Sequence, residues 1–144
     1  MLPVIFGLSG TVLTSDERAF FQAAEPAGFI LFARNIDNPT QVRALTDELR
    51  ALTGRDHLPI LIDQEGGRVA RLTPPHWRSW PAAAALGEAR ALALACDRVQ
   101  CNYEALGLEL AVMGITVTCA PVLDVPQPDA HDIIGDREIG RAHV

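Results

Sequence analysis

Short, continuously apolar runs alternate along this chain with longer stretches whose apolar residues recur at helical spacing. Residues 3–8 predict a first strand and residues 15–25 a first helix, with Ser15 at the N-cap and acidic Asp16 and Glu17 in the first turn. A second strand is expected over Gly28, Phe29, Ile30, Leu31 and Phe32. Asn38 and Pro39 open a second helix that carries Val42, Leu45, Leu49 and Leu52 along one face until Gly54 ends it. Residues 59–62 read as a third strand. After a Pro- and Trp-containing loop over 73–81, residues 84–113 have few breakers besides Gly87 and Gly107 and predict one long helix, closed by Gly114. Residues 115–125 predict a fourth strand, and Pro121, which has no N–H to donate, should interrupt its pairing.

The order β-α-β-α-β-α-β with strands apolar throughout argues for a parallel sheet covered on both faces. Rossmann-like sheets and (β/α)8 barrels both satisfy it. The turn after the first strand, Leu8-Ser9-Gly10-Thr11, lacks the glycine pattern that cradles a pyrophosphate, and no phosphate-binding loop ending in Gly-Lys-Ser/Thr occurs anywhere. The expectation is therefore an α/β fold, the first half (about four β/α units) of a (β/α)8 TIM barrel. Such a barrel takes about 250 residues. A chain of 144 residues supplies four of eight strands and should leave two parallel edges unpaired.

Composition narrows the class of partner. With 49% apolar and 21% charged residues, the chain has the balance of an ordinary soluble globular domain. A net charge of -6 would repel nucleic acid and anionic lipid, so a neutral or weakly charged small molecule is the natural partner. The N-terminus has no basic region ahead of its apolar run, and the apolar stretch 82–114 carries Glu88, Arg90, Asp97, Arg98, Glu104 and Glu109. Neither a signal peptide nor a membrane span is expected, and the cytoplasm is the default location. Cys96, Cys101 and Cys119 lack the paired spacing of a zinc site and are read as reduced packing residues.

In a barrel of this kind the chemistry sits at the C-terminal ends of the strands. Three such ends are polar: Arg34-Asn35, the run Asp63-Gln64-Glu65-Gly66-Gly67-Arg68, and Asp124. Asp63 and Glu65 could be the two carboxylates of a retaining glycosidase, which stand about 5 Å apart. Asp63 could instead accept hydrogen bonds from vicinal sugar hydroxyls, or an acid here could simply pair with Arg68 or Arg71 across the turn. The acidic segment holding Asp124, Asp129, His131, Asp132 and Asp136 suggests a divalent cation less well than it suggests a solvated loop. Trp77 and Trp80 could offer a sugar-stacking platform or fold back over the barrel rim.

Four segments in this order carry a resemblance: GFILFARN from Gly28, DQEGGRVAR from Asp63 to Arg71, APVLDV from Ala120, and IGDR from Ile134 to Arg137. Together they resemble the N-terminal half of glycoside hydrolase family 3, in particular its bacterial NagZ-type β-N-acetylhexosaminidase branch. The resemblance implies a cytoplasmic, retaining glycosidase of cell-wall recycling. Its substrates would be N-acetylglucosaminyl-anhydromuramyl peptides, with no metal or cofactor, no nucleic acid or membrane partner, and a monomeric full-length protein. It implies substrate-binding roles for Asp63, Arg71 and Arg137, and no catalytic role for Glu65. The family's Lys-His contact, acid/base dyad and nucleophile fall further along than this lysine-free chain extends, so these 144 residues alone should be inactive. A non-catalytic sugar-binding half-barrel, or a β-glucosidase or xylosidase of the same family, is the alternative.

After Arg137 the text departs from the family pattern. Glu138 to Val144 is what GAG ATC GGA AGA GCA CAC GTC encodes, which apart from its first base is the start of a widely used sequencing adapter. Residues 1–137 are thus expected to be the N-terminal part of the catalytic barrel and residues 138–144 a non-native tail.

Overall fold

The computed structural model describes residues 1–87, 92–125 and 132–139, in two compact units: Met1–Asp63 with Glu109–Thr118, and Gln64–Leu108 with Cys119–Val144. The first unit holds a four-stranded parallel sheet of β1 (Leu2–Gly7), β2 (Pro26–Leu31), β3 (Ile60–Ile62) and β4 (Val117–Thr118), in the order β1-β2-β3-β4. Every strand pairs with its predecessor in the chain. A doubly wound sheet must reverse direction after its first strands. This sheet does not, which decides between the two folds in favour of a partial (β/α)8 barrel.

The crossovers follow from the sequence pattern. Helix α2 (Pro39–Thr53) starts with Asn38 accepting the Gln41 N–H at 3.0 Å, has Pro39 at its first position, and ends at left-handed Gly54. Its buried face is Val42, Leu45, Thr46 and Leu49, while Leu52 is only half-buried. Helix α1 (Ser15–Ala24) sets Phe21 edge-on against Phe29 of β2, ring centroids 4.9 Å apart. Phe29, Leu31, Ile60 and Ile62 are fully buried, each contributing roughly 1.5–3 kcal/mol relative to exposure. By contrast Leu2, Val4 and Ile5 of the edge strand β1 are exposed.

The N-cap of α1 is Thr14 rather than the expected Ser15. Thr14 Oγ1 accepts the Glu17 N–H at 3.1 Å and Glu17 returns the bond to the Thr14 N–H at 2.9 Å. Spacing explains the shift: three residues after Thr14 stands a carboxylate, whereas three after Ser15 stands Arg18, which cannot accept.

Polar side chains, of which Thr46 is fully buried, join the first unit's two segments. Thr46 Oγ1 lies 2.7 Å from the Met113 carbonyl, Arg50 Nη2 donates to the Gly114 carbonyl at 2.5 Å, and Thr116 Oγ1 accepts the Ile60 N–H at 2.9 Å, leading the chain into β4. β4 stops at Thr118, well short of the expected residue 125. Pairing resumes only at Val122, in a single parallel bridge to Glu138, so the interruption foreseen at Pro121 is present.

The long helix foreseen over 84–113 is described as α3 (Ala83–Gly87) and α4 (Leu92–Val112). Gly114 follows α4 with φ +75°. The cysteines overturn their reading as packing residues, because all three are exposed. On α4 the buried line runs through Ala95, Leu106 and Leu110, and Cys96 and Cys101 fall outside it. No helix among the described residues is long and apolar enough to cross a membrane. Ile139 is buried, and residues 140–144 of the expected tail lie outside the described residues.

Candidate functional site

The second unit opens with a loop whose shape comes from its own sequence. Gly66 and Gly67 have φ of +101° and +55°, a backbone region that residues with a Cβ rarely adopt. A Cβ at Gly66 would strike the Pro81 carbonyl, and one at Gly67 would come within 2.7 Å of Ala82. The turn is pinned by Glu65 N–H to the Val69 carbonyl at 2.9 Å and by Gly67 N–H to the Trp80 carbonyl at 2.9 Å. Gln64, fully buried, braces the returning chain: its Oε1 accepts the N–H groups of Arg71 and Leu72 at 2.8 and 2.9 Å, and its amide donates to the Leu72 carbonyl at 3.0 Å. That brace fixes the backbone from which Arg71 projects. Sequence reasoning passed over Gln64; the available signal was its place between two strand-end acids, on the opposite side of the alternation.

Charge then links this loop to the segment ending at Arg137. Arg137 Nε donates to Glu65 Oε2 and Nη2 to Oε1, both at 2.8 Å, and the Glu65 side chain is only 7% exposed. Beside it Arg68 Nε donates to Asp136 Oδ1 at 2.9 Å, and Arg68 Nη2 to the carbonyls of Ile133 and Ile134, each at 2.8 Å. Glu65 and Arg68 thus do not pair with each other across the turn: Glu65 pairs with Arg137 and Arg68 with Asp136. Both Glu65 oxygens accept hydrogen bonds from this one guanidinium, so the carboxylate serves as the acceptor that holds Arg137. On α4, burial and then the charge of Glu65 hold the Tyr103 phenol above its ordinary pKa. The short helix α3 packs against the 3₁₀ turn Gly135–Arg137 that carries the guanidinium.

The other sequence-flagged residues separate by role. Asp63 follows β3 directly in the first unit and is half-buried; Arg71, also half-buried, belongs to the second. Arg34 and Asn35 are structural: Asn35, fully buried, donates to the carbonyls of Leu8 and Gly10, and Arg34 Nε to Leu8 at 2.7 Å. Together they hold the chain leaving β1. Trp77 is buried, which favours the fold-back role, whereas half-buried Trp80 lies under the Arg78 guanidinium at 5.6 Å. In the acidic segment Asp124 is exposed and Asp136 is paired, while Asp129 and His131 lie outside the described residues. No group of three His, Cys, Asp or Glu side chains suited to a metal occurs among the described residues.

Known proteins are similar to this chain over nearly all of its length. A beta-hexosaminidase of Alkalilimnicola ehrlichii is 40% identical over 94% of this chain and 38% of its own length, and one of Methylococcus capsulatus is 38% identical over 95% and 40%. Among solved structures, NagZ from Neisseria gonorrhoeae in complex with zinc ion superposes with TM-score 0.78 at 32% identity, over 97% of this chain and 42% of that one. A glycoside hydrolase family 3 beta-N-acetylglucosaminidase from Paenibacillus gives 0.81 at 33% identity, over 94% and 26%. The chain spans about two fifths of the length of the curated relatives it matches. Residues 9–142 match the model of the glycosyl hydrolase family 3 N terminal domain, and the chain belongs to that family.

Proposed function

We propose that this chain is the sugar-binding half of a β-N-acetylhexosaminidase that hydrolyses terminal β-linked N-acetylglucosamine from peptidoglycan-derived muropeptides with retention. Asp63, Arg71 and Arg137 hold the terminal sugar, while the nucleophile and acid/base come from the portion of the relatives that this chain does not span. The protein acts in the cytoplasm as a monomer, without a metal or cofactor.

The observation that carries the division of labour is the Glu65–Arg137 pair: the carboxylate nearest to a catalytic pattern is locked as an acceptor on both oxygens. A neutral sugar ligand suits the net charge of -6, and the relatives' names support the hexosaminide specificity. The test is a chromogenic β-N-acetylglucosaminide assayed with the full-length protein. Turnover that exceeds that of the matching glucoside is expected; no turnover, or a preference for the glucoside, overturns the proposal.

A further inference from the structure

We infer that Glu65 is a positioning residue, which sets the plane and direction in which Arg137 meets the sugar; this rests on the binding role proposed for Arg137. An arginine side chain has several soft torsions and loses rotamer entropy when it is fixed. Recognition of hydroxyl groups needs its N–H vectors fixed before the ligand arrives, because ordering them on binding subtracts from affinity. The structure supplies that fixing from one loop. Arg68 grips the carbonyls of Ile133 and Ile134 and the Asp136 side chain, holding the backbone that leads into Arg137. Glu65 takes the Nε and Nη2 edge of the guanidinium in a two-bond fork at 2.8 Å, which defines its plane.

Burial makes the fork effective. The Glu65 side chain is 7% exposed against 26% for that of Arg137, so the acid is the more deeply buried and better anchored partner. Glu65 therefore acts through Arg137 and does not itself touch the reacting atoms.

The experiment compares the full-length enzyme with Glu65→Gln, Glu65→Asp, Arg137→Ala and the double variant Glu65→Gln/Arg137→Ala, measuring kcat and KM on a β-N-acetylglucosaminide, with circular dichroism to report folding. Glutamine keeps the shape of Glu65 but turns an amide donor toward the arginine. Glu65→Gln should raise KM about tenfold or more with a smaller change in kcat, and Glu65→Asp should recover part of that loss. The double variant should be no worse in KM than Arg137→Ala alone, since both remove one interaction. An unchanged KM in folded Glu65→Gln, or additive losses in the double variant, overturns the positioning role while leaving Arg137 as a binder. An unchanged KM in Arg137→Ala overturns the binding role itself, and the inference with it.

Discussion

The Arg137 guanidinium lies edge-on against the Glu65 carboxylate, with two parallel hydrogen bonds of 2.8 Å joining residues 72 positions apart. Truncating the acid leaves a cation with its preferred partner gone. Glu65→Ala should therefore destabilise the fold by about 2–3 kcal/mol, below the usual 3–5 for a fully buried pair because Arg137 keeps some solvent contact. Arg68→Ala should cost less, about 1 kcal/mol or under, since both Arg68 and Asp136 are half exposed. Urea unfolding of the two variants gives the ranking, and an equal or reversed order would contradict the burial argument.

Substitution at the paired glycines should be more damaging than at glycines in open space. Gly66→Ala combines φ of +101° with a collision against the Pro81 carbonyl, so a loss of at least about 2 kcal/mol is expected. Gly10→Ala meets nothing within 4 Å and should stay within about 0.5 kcal/mol. Thermal melts of both proteins check the contrast.

The capping assignment for α1 is equally direct to test. Thr14→Ala should cost about 1 kcal/mol, and Ser15→Ala only a few tenths. Equal effects would mean that the cap is shared.

Glu17 gives a pH signature at the same place. Partial burial pushes its pKa up, but the N–H donors of Thr14 and Ser9 outweigh that and leave it below the unfolded value of 4.5. The stabilisation is present above pH 4.5 and is lost as pH falls through the lower folded value. Glu17→Gln should therefore narrow its stability difference from the parent as the solution is acidified below 4.5, as read from melting temperatures across that range.

Tyr103 should titrate above the ordinary range, with burial the main cause and the Glu65 charge the second. In Glu65→Gln the second cause disappears, so the phenol should ionise at lower pH than in the parent while staying raised by burial. Ultraviolet titration against a Tyr103→Phe reference isolates this group.

Much of the fold was legible because its signals are local. Val42, Leu45 and Leu49 lie three and four apart, Asn38-Pro39 and Gly54 punctuate their helix, and the apolar runs at β2 and β3 have one plausible use. The bounds of β4 were less legible, since its extent depends on which backbone groups find partners and not on its apolar content. The cysteines misled for a related reason: residue type predicts burial only on average, and here Cys96 and Cys101 lie on an uncovered part of α4 while Cys119 is exposed just after β4. At the site, the two-glycine turn was readable because few residues can occupy such φ values. The Glu65–Arg137 pair was not, because no local rule links positions 65 and 137; only the fold brings them together.

The two charge pairs of that site also act as a key for alignment. Glu65 meets Arg137 while Arg68 meets Asp136, so the signs are crossed. If the segment slipped by one residue in one direction, Glu65 would face Asp136; in the other, Glu65 would face Glu138 and Arg68 would face Arg137. Either slip exchanges attraction for repulsion, and only one threading of the chain past the loop satisfies both ends at once.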